Sequence, residues 1–275
     1  MLKPVISALV ALWPVALAAA VAALAERYWP WCKQLTDWLR WLHASVLFAL
    51  GSVASELVLP IGLTGVALFA VERHWGLLNY LSVPTWITFV LGILIIDFVL
   101  WGCHWTMHRS QVVWRIHRVH HSDEVLDTST AFRFHPAEIL YKFFVQAIAI
   151  FIIGIPASAV VVFGTLMLFF NVWEHANVKT SRALRALSVL IVTPDFHRIH
   201  HSAEARHQSS NLGALFTIWD QIFGSFVPLS ELDENSTFRF GLGANPLTFS
   251  TLTDVLVDPL RNGEIAEDSG SKAKI

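Results

Sequence analysis

From Thr85 to His108 the chain reads TWITFVLGILIIDFVLWGCHWTMH, and Asp97 is the only Asp, Glu, Lys or Arg in it. A membrane-crossing helix needs about 20 mostly apolar residues, because hydrocarbon offers the backbone no water to hydrogen-bond. This run meets that length and then ends on two histidines, His104 and His108. Any fold of this chain must place a histidine pair at the end of an apolar helix.

Other apolar runs accompany it. One reaches from Val5 to Ala25, longer than the apolar core of a usual signal peptide, and is expected to be a retained membrane helix kinked at Pro14. A second helix is expected over 46–71, with Glu56 inside it. Between these two lies RYWPWCKQLTDWLRWLH, whose tryptophans alternate with basic residues in the manner of a membrane interface. The run 143–170 contains Gly154, Pro156 and Gly164; its length leaves open one long kinked helix or a re-entrant hairpin. A shorter apolar helix, too short to span, is expected over 183–192. Charged residues are only 15% of the chain, against about 25% in ordinary soluble domains.

The fold class expected is all-α: a multi-pass transmembrane protein with a histidine-rich helical cap. Residues 1–83 would form the N-terminal membrane helices and linker, 84–227 the catalytic domain, and 228–275 a C-terminal tail. Within that tail ENSTFRFGLGANP suggests a short strand and turns, and the last residues look disordered. Arg27, Lys33 and Arg40 follow the first helix, and Arg109, Arg115 and Arg118 follow the third, whereas only Arg73 lies between the second and third. The positive-inside rule then puts the cap in the cytoplasm. A net charge of −2 gives no footprint for nucleic acid. Cys32 and Cys103 make no disulfide framework, and Cys103 reads as a buried filler.

The chemistry lies in the histidines. HWTMH stands at 104–108, HRVHH at 117–121 and HRIHH at 197–201. Residues three and four apart share a helix face. His104 and His108 therefore point one way, and His117, His120 and His121, like His197, His200 and His201, are each expected to offer imidazoles to a common point. Eight imidazoles exceed the needs of one metal and suit two ions with four or five nitrogens each. Neutral imidazole accepts iron and zinc alike. Glu174, Asp195 and Asp123 are candidate ligands or acceptors that orient a ligand ring. The alternatives left open are a zinc hydrolase and a metal-binding scaffold without turnover.

The three boxes, with STAFRFHPAE (129–138), NVWEHANV (171–178), TPDFHRIHHS (193–202) and NLGALFTIWDQIFGSF (211–226), make residues 97–224 resemble the fatty acid hydroxylase/sterol desaturase superfamily of integral-membrane di-iron oxygenases. The resemblance implies two irons, O2 as co-substrate, and hydroxylation or desaturation of a lipid C–H bond; zinc would be a possible substitute metal. It implies His175 as a ninth ligand, and leaves His135 between a tenth ligand and a structural role. His207 departs from the family pattern and is expected at the surface. Arg115, Arg118, Arg133 and Arg198 are candidates for contact with a lipid head group or an electron donor, against a plain capping or membrane-surface role. The heme-domain motif HPxG is absent, so electrons are expected from a separate protein. Neither the substrate nor the oligomeric state can be read from these motifs.

Overall fold

The computed structural model describes residues 2–33, 37–232, 238–243 and 251–261, with backbone alone for 2–13. The described residues are helical, and their β-pairing is limited to isolated bridges. The long helices are α1 (Leu2–Tyr28), α2 (Trp38–Val58), α3 (Gly62–Glu72), α5 (Thr85–Arg109), α7 (Pro136–Ile153) and α8 (Ala157–His175), with a short α4 (Leu77–Tyr80) between α3 and α5. The segments Trp38–Tyr80, α5, α7 and α8 are long and apolar enough to cross a membrane.

Three expected boundaries move. The second helix is not one piece over 46–71: α2 begins at Trp38, and the chain breaks at Leu59 and Pro60 before α3. Proline has no N–H to give and clashes with the preceding turn, so the helix ends before it. Glu56 is exposed near that end of α2. Of the two readings left open for 143–170, the single kinked helix falls and the hairpin holds, with arms long enough to cross a membrane. The run is the middle of that hairpin, α7 and α8, whose arms of 18 and 19 residues each extend about 27–28 Å. The helices continue through polar residues at their outer ends, where hydropathy alone had trimmed them. Residues 183–192 form a single turn, α9 (Arg182–Ala186), followed by a 3-10 turn, Leu187–Val189.

Gly154 ends α7 in the left-handed region at φ 74°, and its N–H bonds to Ile150 O at 2.9 Å. Gly76, at φ 96°, packs so closely that a Cβ there would lie 2.3 Å from Gly154 Cα. The core of the bundle is Val66, Ala67, Ile96, Ala147, Ile150, Ile155, Ala159 and Phe163, drawn from α3, α5, α7, α8 and the turn between the last two. Small residues at these crossings let the backbones approach, as membrane packing requires.

The other end of the bundle carries the cap: α6 (Gln111–His121), a 3-10 turn (Thr128–Phe132), α10 (Pro194–His200), α11 (Ala205–Gln208) and α12 (Ile218–Phe223). Two buried carboxylates fasten the 211–220 loop to α5. Asp97, within α5, accepts from Leu215 N at 2.9 Å and Trp219 Nε1 at 2.7 Å. Asp220 accepts from Leu212 N at 2.9 Å, Gly213 N at 2.7 Å and Trp101 Nε1 at 3.1 Å.

The C-terminal part is attached where described: α13 (Leu252–Val257) packs Val255 against Leu47 and Val119. Of the strand expected in ENSTFRFGLGANP, the described residues show a bridge from Phe240 to Ser202. The tail 264–275, expected to be disordered, lies outside the described residues.

Candidate metal centre

α5 and α8 end side by side, so His104, His108 and His175 reach one level. Ser110, in extended conformation, stops α5 and starts α6 in a new direction. Thr193 caps α10 by accepting from Phe196 N, and Pro194 occupies its first turn. These local devices bring box histidines from three helices, and His175 from a fourth, together.

They form two groups. Cluster A is His104, His108, His117, His121 and His200; cluster B is His120, His175, His197 and His201, with the ligand atoms in each group within 4.8 Å of one another. The expectation that each box serves one point is thus corrected. At about 100° per residue, positions i and i+4 differ by only about 40°, whereas i+3 and i+4 diverge by about 100°. His117 and His121 accordingly turn to cluster A while His120 turns to cluster B. In the last box His197 and His201 turn to cluster B while His200 turns to cluster A.

The nitrogens fit metal ions. In cluster A the Nε2 atoms of all five rings are buried and have no hydrogen-bond partner. In cluster B the Nε2 atoms face one another: His120 to His175 at 3.1 Å, His175 to His197 at 3.0 Å, His197 to His201 at 3.0 Å. Buried polar atoms without partners cost about 1–3 kcal/mol each, so nine converging imidazoles call for cations. Burial, reinforced by neighbouring imidazoles, holds His120, His121, His197, His200 and His201 well below the ordinary histidine range. They are thus neutral and ready to ligate.

Outer groups aim the rings. Backbone carbonyls meet Nδ1 of His104 (Leu212 O, 3.0 Å), His200 (Ser210 O, 2.9 Å) and His175 (Asn171 O, 2.6 Å). His117 instead meets a side chain: its Nδ1 lies 3.0 Å from Glu138 Oε1. Glu138 is fully buried and also takes Lys142 Nζ at 3.0 Å. Neither Glu138 nor Lys142 was singled out from the sequence. An acidic residue in the first turn of a helix has an ordinary explanation in the helix dipole, and its i,i+4 lysine was the only local hint.

The expected acceptors lie elsewhere. Asp123 receives Arg40 at 2.8 Å and Thr130 Oγ1 at 2.8 Å. Asp195 is held by Arg198 and Thr180. Glu174 Oε1 is 3.8 Å from His175 Nδ1, farther than the Asn171 carbonyl. His135 caps α7, with Nδ1 accepting from Ala137 N at 3.1 Å and Nε2 3.3 Å from Leu256 O. It joins neither cluster, and both its nitrogens serve the scaffold. His207, expected at the surface, is 1% exposed. Its carbonyl accepts from Ser210 Oγ at 2.6 Å, within the turn that presents Ser210 O to His200.

The arginines also turn inward. Arg118 binds Asp258 Oδ2 at 2.7 Å, and Arg198 binds Asp195 and the carbonyls of Ala176 and Val178, each at 2.7 Å. Arg133 donates to Val119 O and Ser122 Oγ. Arg115 is half-buried on α6, its Nε without a hydrogen-bond partner. Buried as they are, Arg118 and Arg198 act as anchors of the cap, not as a surface for head groups.

A cavity of about 80 Å³ opens beside the clusters, walled by Leu100, Met107, Phe134, Met167, Asn171 and Glu174 and reached by histidines of both clusters.

Comparison with known proteins agrees with this geometry. The fatty acid hydroxylase family matches residues 89–225. Ornithine lipid hydroxylase of Rhizobium tropici is 32% identical over 137 residues, 50% of this chain and 41% of that protein. Human alkylglycerol monooxygenase is 32% identical over 159 residues, 58% of this chain and 33% of that protein. Methylsterol monooxygenase 2-2 of Arabidopsis thaliana is 26% identical over 181 residues, 63% of this chain and 68% of that protein. The chain thus spans less than half the length of the first two relatives. No solved structure matches it. With its boxes gathered into two imidazole clusters at the end of an apolar bundle, the chain belongs, over residues 89–225, to the fatty acid hydroxylase family.

Proposed function

We propose that this protein is a membrane-bound di-iron oxygenase that inserts oxygen into, or desaturates, a C–H bond of a lipid. The observation that carries the reading is the convergence of nine imidazoles into two adjoining clusters beside a largely apolar cavity. His104, His108, His117, His121 and His200 would hold one iron, and His120, His175, His197 and His201 the other. When bound, the metal pair supplies oxygen activation and the oxidising power to break an unactivated C–H bond.

The chain's own groups do the rest. Neutral imidazoles hold the cations without adding negative charge. Leu100, Met107, Phe134 and Met167 restrict water and confine a short stretch of hydrocarbon, since the cavity admits only part of a lipid. Relatives named for hydroxylation and monooxygenation of ornithine lipid, alkylglycerol and methylsterol favour oxygen insertion over desaturation. The cap faces the cytoplasm, on the count of basic residues at that end of the helices, and a separate protein supplies electrons there.

The test is untargeted lipid mass spectrometry of cells with the active protein and with His120→Ala or His200→Ala. A lipid class that gains one oxygen, or loses two hydrogens, only with the active protein supports the reading. Full turnover in both variants would overturn it, and zinc with hydrolysed lipid products would indicate the hydrolase instead.

A further inference from the structure

The two clusters are dressed differently on their outer side. Cluster A contains His117, whose Nδ1 meets the carboxylate of Glu138 at 3.0 Å. Glu138 is fully buried, so its charge acts through a low-dielectric interior rather than through water. Partnerless, buried Nδ1 atoms occur in both clusters, at His121 in cluster A and at His120, His197 and His201 in cluster B, and backbone carbonyls meet His104, His200 and His175, but in cluster B no ring has a carboxylate as close as Glu138 is to His117. One lysine stands near both clusters: Lys142 Nζ is 3.0 Å from the same Glu138 Oε1 that meets His117. Lys142 Nζ sits 3.9 Å from the centre of the Phe134 ring, and that ring stacks on His120 at 4.6 Å. One cluster therefore has five imidazoles and a carboxylate in close contact with a ligand ring; the other has four imidazoles and its nearest carboxylate, Glu174, at 3.8 Å from His175.

A carboxylate on the far nitrogen of a ligating histidine fixes the ring's tautomer and orientation and raises its basicity. We propose that Glu138 is a positioning residue for the metal held by cluster A, and that it makes cluster A the tighter and first-filled of two unequal sites. The proposal rests on the dinuclear reading given above. Glu138 acts through His117 and does not itself contact the metal. Lys142 neutralises it within α7 and keeps the buried carboxylate from standing unpaired.

The test is a cobalt(II) titration of the full-length protein in detergent, stripped of metal, followed by its visible absorption. Wild-type protein should fill in two resolved steps. His108→Ala should remove the stronger step and His201→Ala the weaker one, which assigns them. Glu138→Gln should weaken the stronger step about 10- to 100-fold and leave the weaker one within about twofold. Lys142→Gln, which spares the contact to His117, should keep the two steps resolved. The proposal is overturned if wild-type protein binds two ions with equal affinity, a result that needs no variant to fold. It is also overturned if Glu138→Gln weakens both steps alike, as a merely structural role would. Binding of a single ion, by contrast, would sink the dinuclear reading itself.

Discussion

HRVHHS at 117–122 and HRIHHS at 197–202 differ in one letter, yet they do opposite things. The first lends two imidazoles to cluster A and one to cluster B; the second lends one to cluster A and two to cluster B. Their arginines are alike in being buried and ion-paired, but Arg118 reaches Asp258, far along the chain, while Arg198 pairs with Asp195, three residues back. After the shared serine stands Asp123 in one and Ala203 in the other, and only Asp123 ties its box to α2, through Arg40. The first box is thus tied to α2 and the C-terminal segment, and the second to its own helix, to the 176–180 segment and to the turn at Ser210. Equal letters define equal local geometry, and the packing around each box selects its partners.

The largest effects should come from breaking the exchange of imidazoles. His120→Ala and His200→Ala each remove the single ring that a box lends across. Both should lower oxygen-dependent turnover by at least about 100-fold, but His120→Ala should deplete cluster B and His200→Ala cluster A. Metal analysis of the purified variants, compared with His108→Ala and His201→Ala, checks this; identical losses in both would remove the crossed arrangement.

Next in size are the arginines. Breaking a buried ion pair from one side costs about 3–5 kcal/mol, because the partner charge is left uncompensated. Arg198→Ala should cost more than Arg118→Ala, since the two carbonyls Arg198 satisfies lie at 2.7 Å each, against 3.0 and 3.3 Å for the two that Arg118 satisfies. Unfolding curves in detergent would measure both, and a reversed order would show that the long-range anchor dominates.

Acid comes third. Burial holds His120, His121, His197, His200 and His201 well below the ordinary value of 6.5 when folded. The unfolded chain therefore binds protons first as pH falls, so the stability of the metal-free protein should be full above about 6.5 and drop progressively below it. Unfolding midpoints across pH 5–8 test this, and bound metal should move the loss to lower pH. The smallest effect is expected from Asp123→Asn, about 1–2 kcal/mol, because Arg40 keeps its contact with Asp127 at 2.9 Å. A loss as large as that of Arg118→Ala would mean that the tether to α2 matters as much as the C-terminal one.

Much of the molecule was legible before any coordinates. Apolar length pointed to α5, and three spaced boxes pointed to a two-metal centre. The helix break at Pro60 and the hairpin at Gly154 were written in the residues, but hydropathy averages over a window and blurs such punctuation. His207 looked like a surface residue because polarity was judged without the turn that buries it. Glu138 was hidden because one acidic residue at the start of a helix usually answers to the dipole alone.

The sequence by itself determined that helices would cross hydrocarbon and that each box would present its rings on one side, since both follow from backbone satisfaction and a 3.6-residue turn. Only the tertiary structure decided which cluster each ring joins. That choice depends on where a helix lies relative to its neighbours, and Asp97, Asp220, Asp258 and Glu138 set it through contacts that bridge distant parts of the chain, apart from Glu138's own turn.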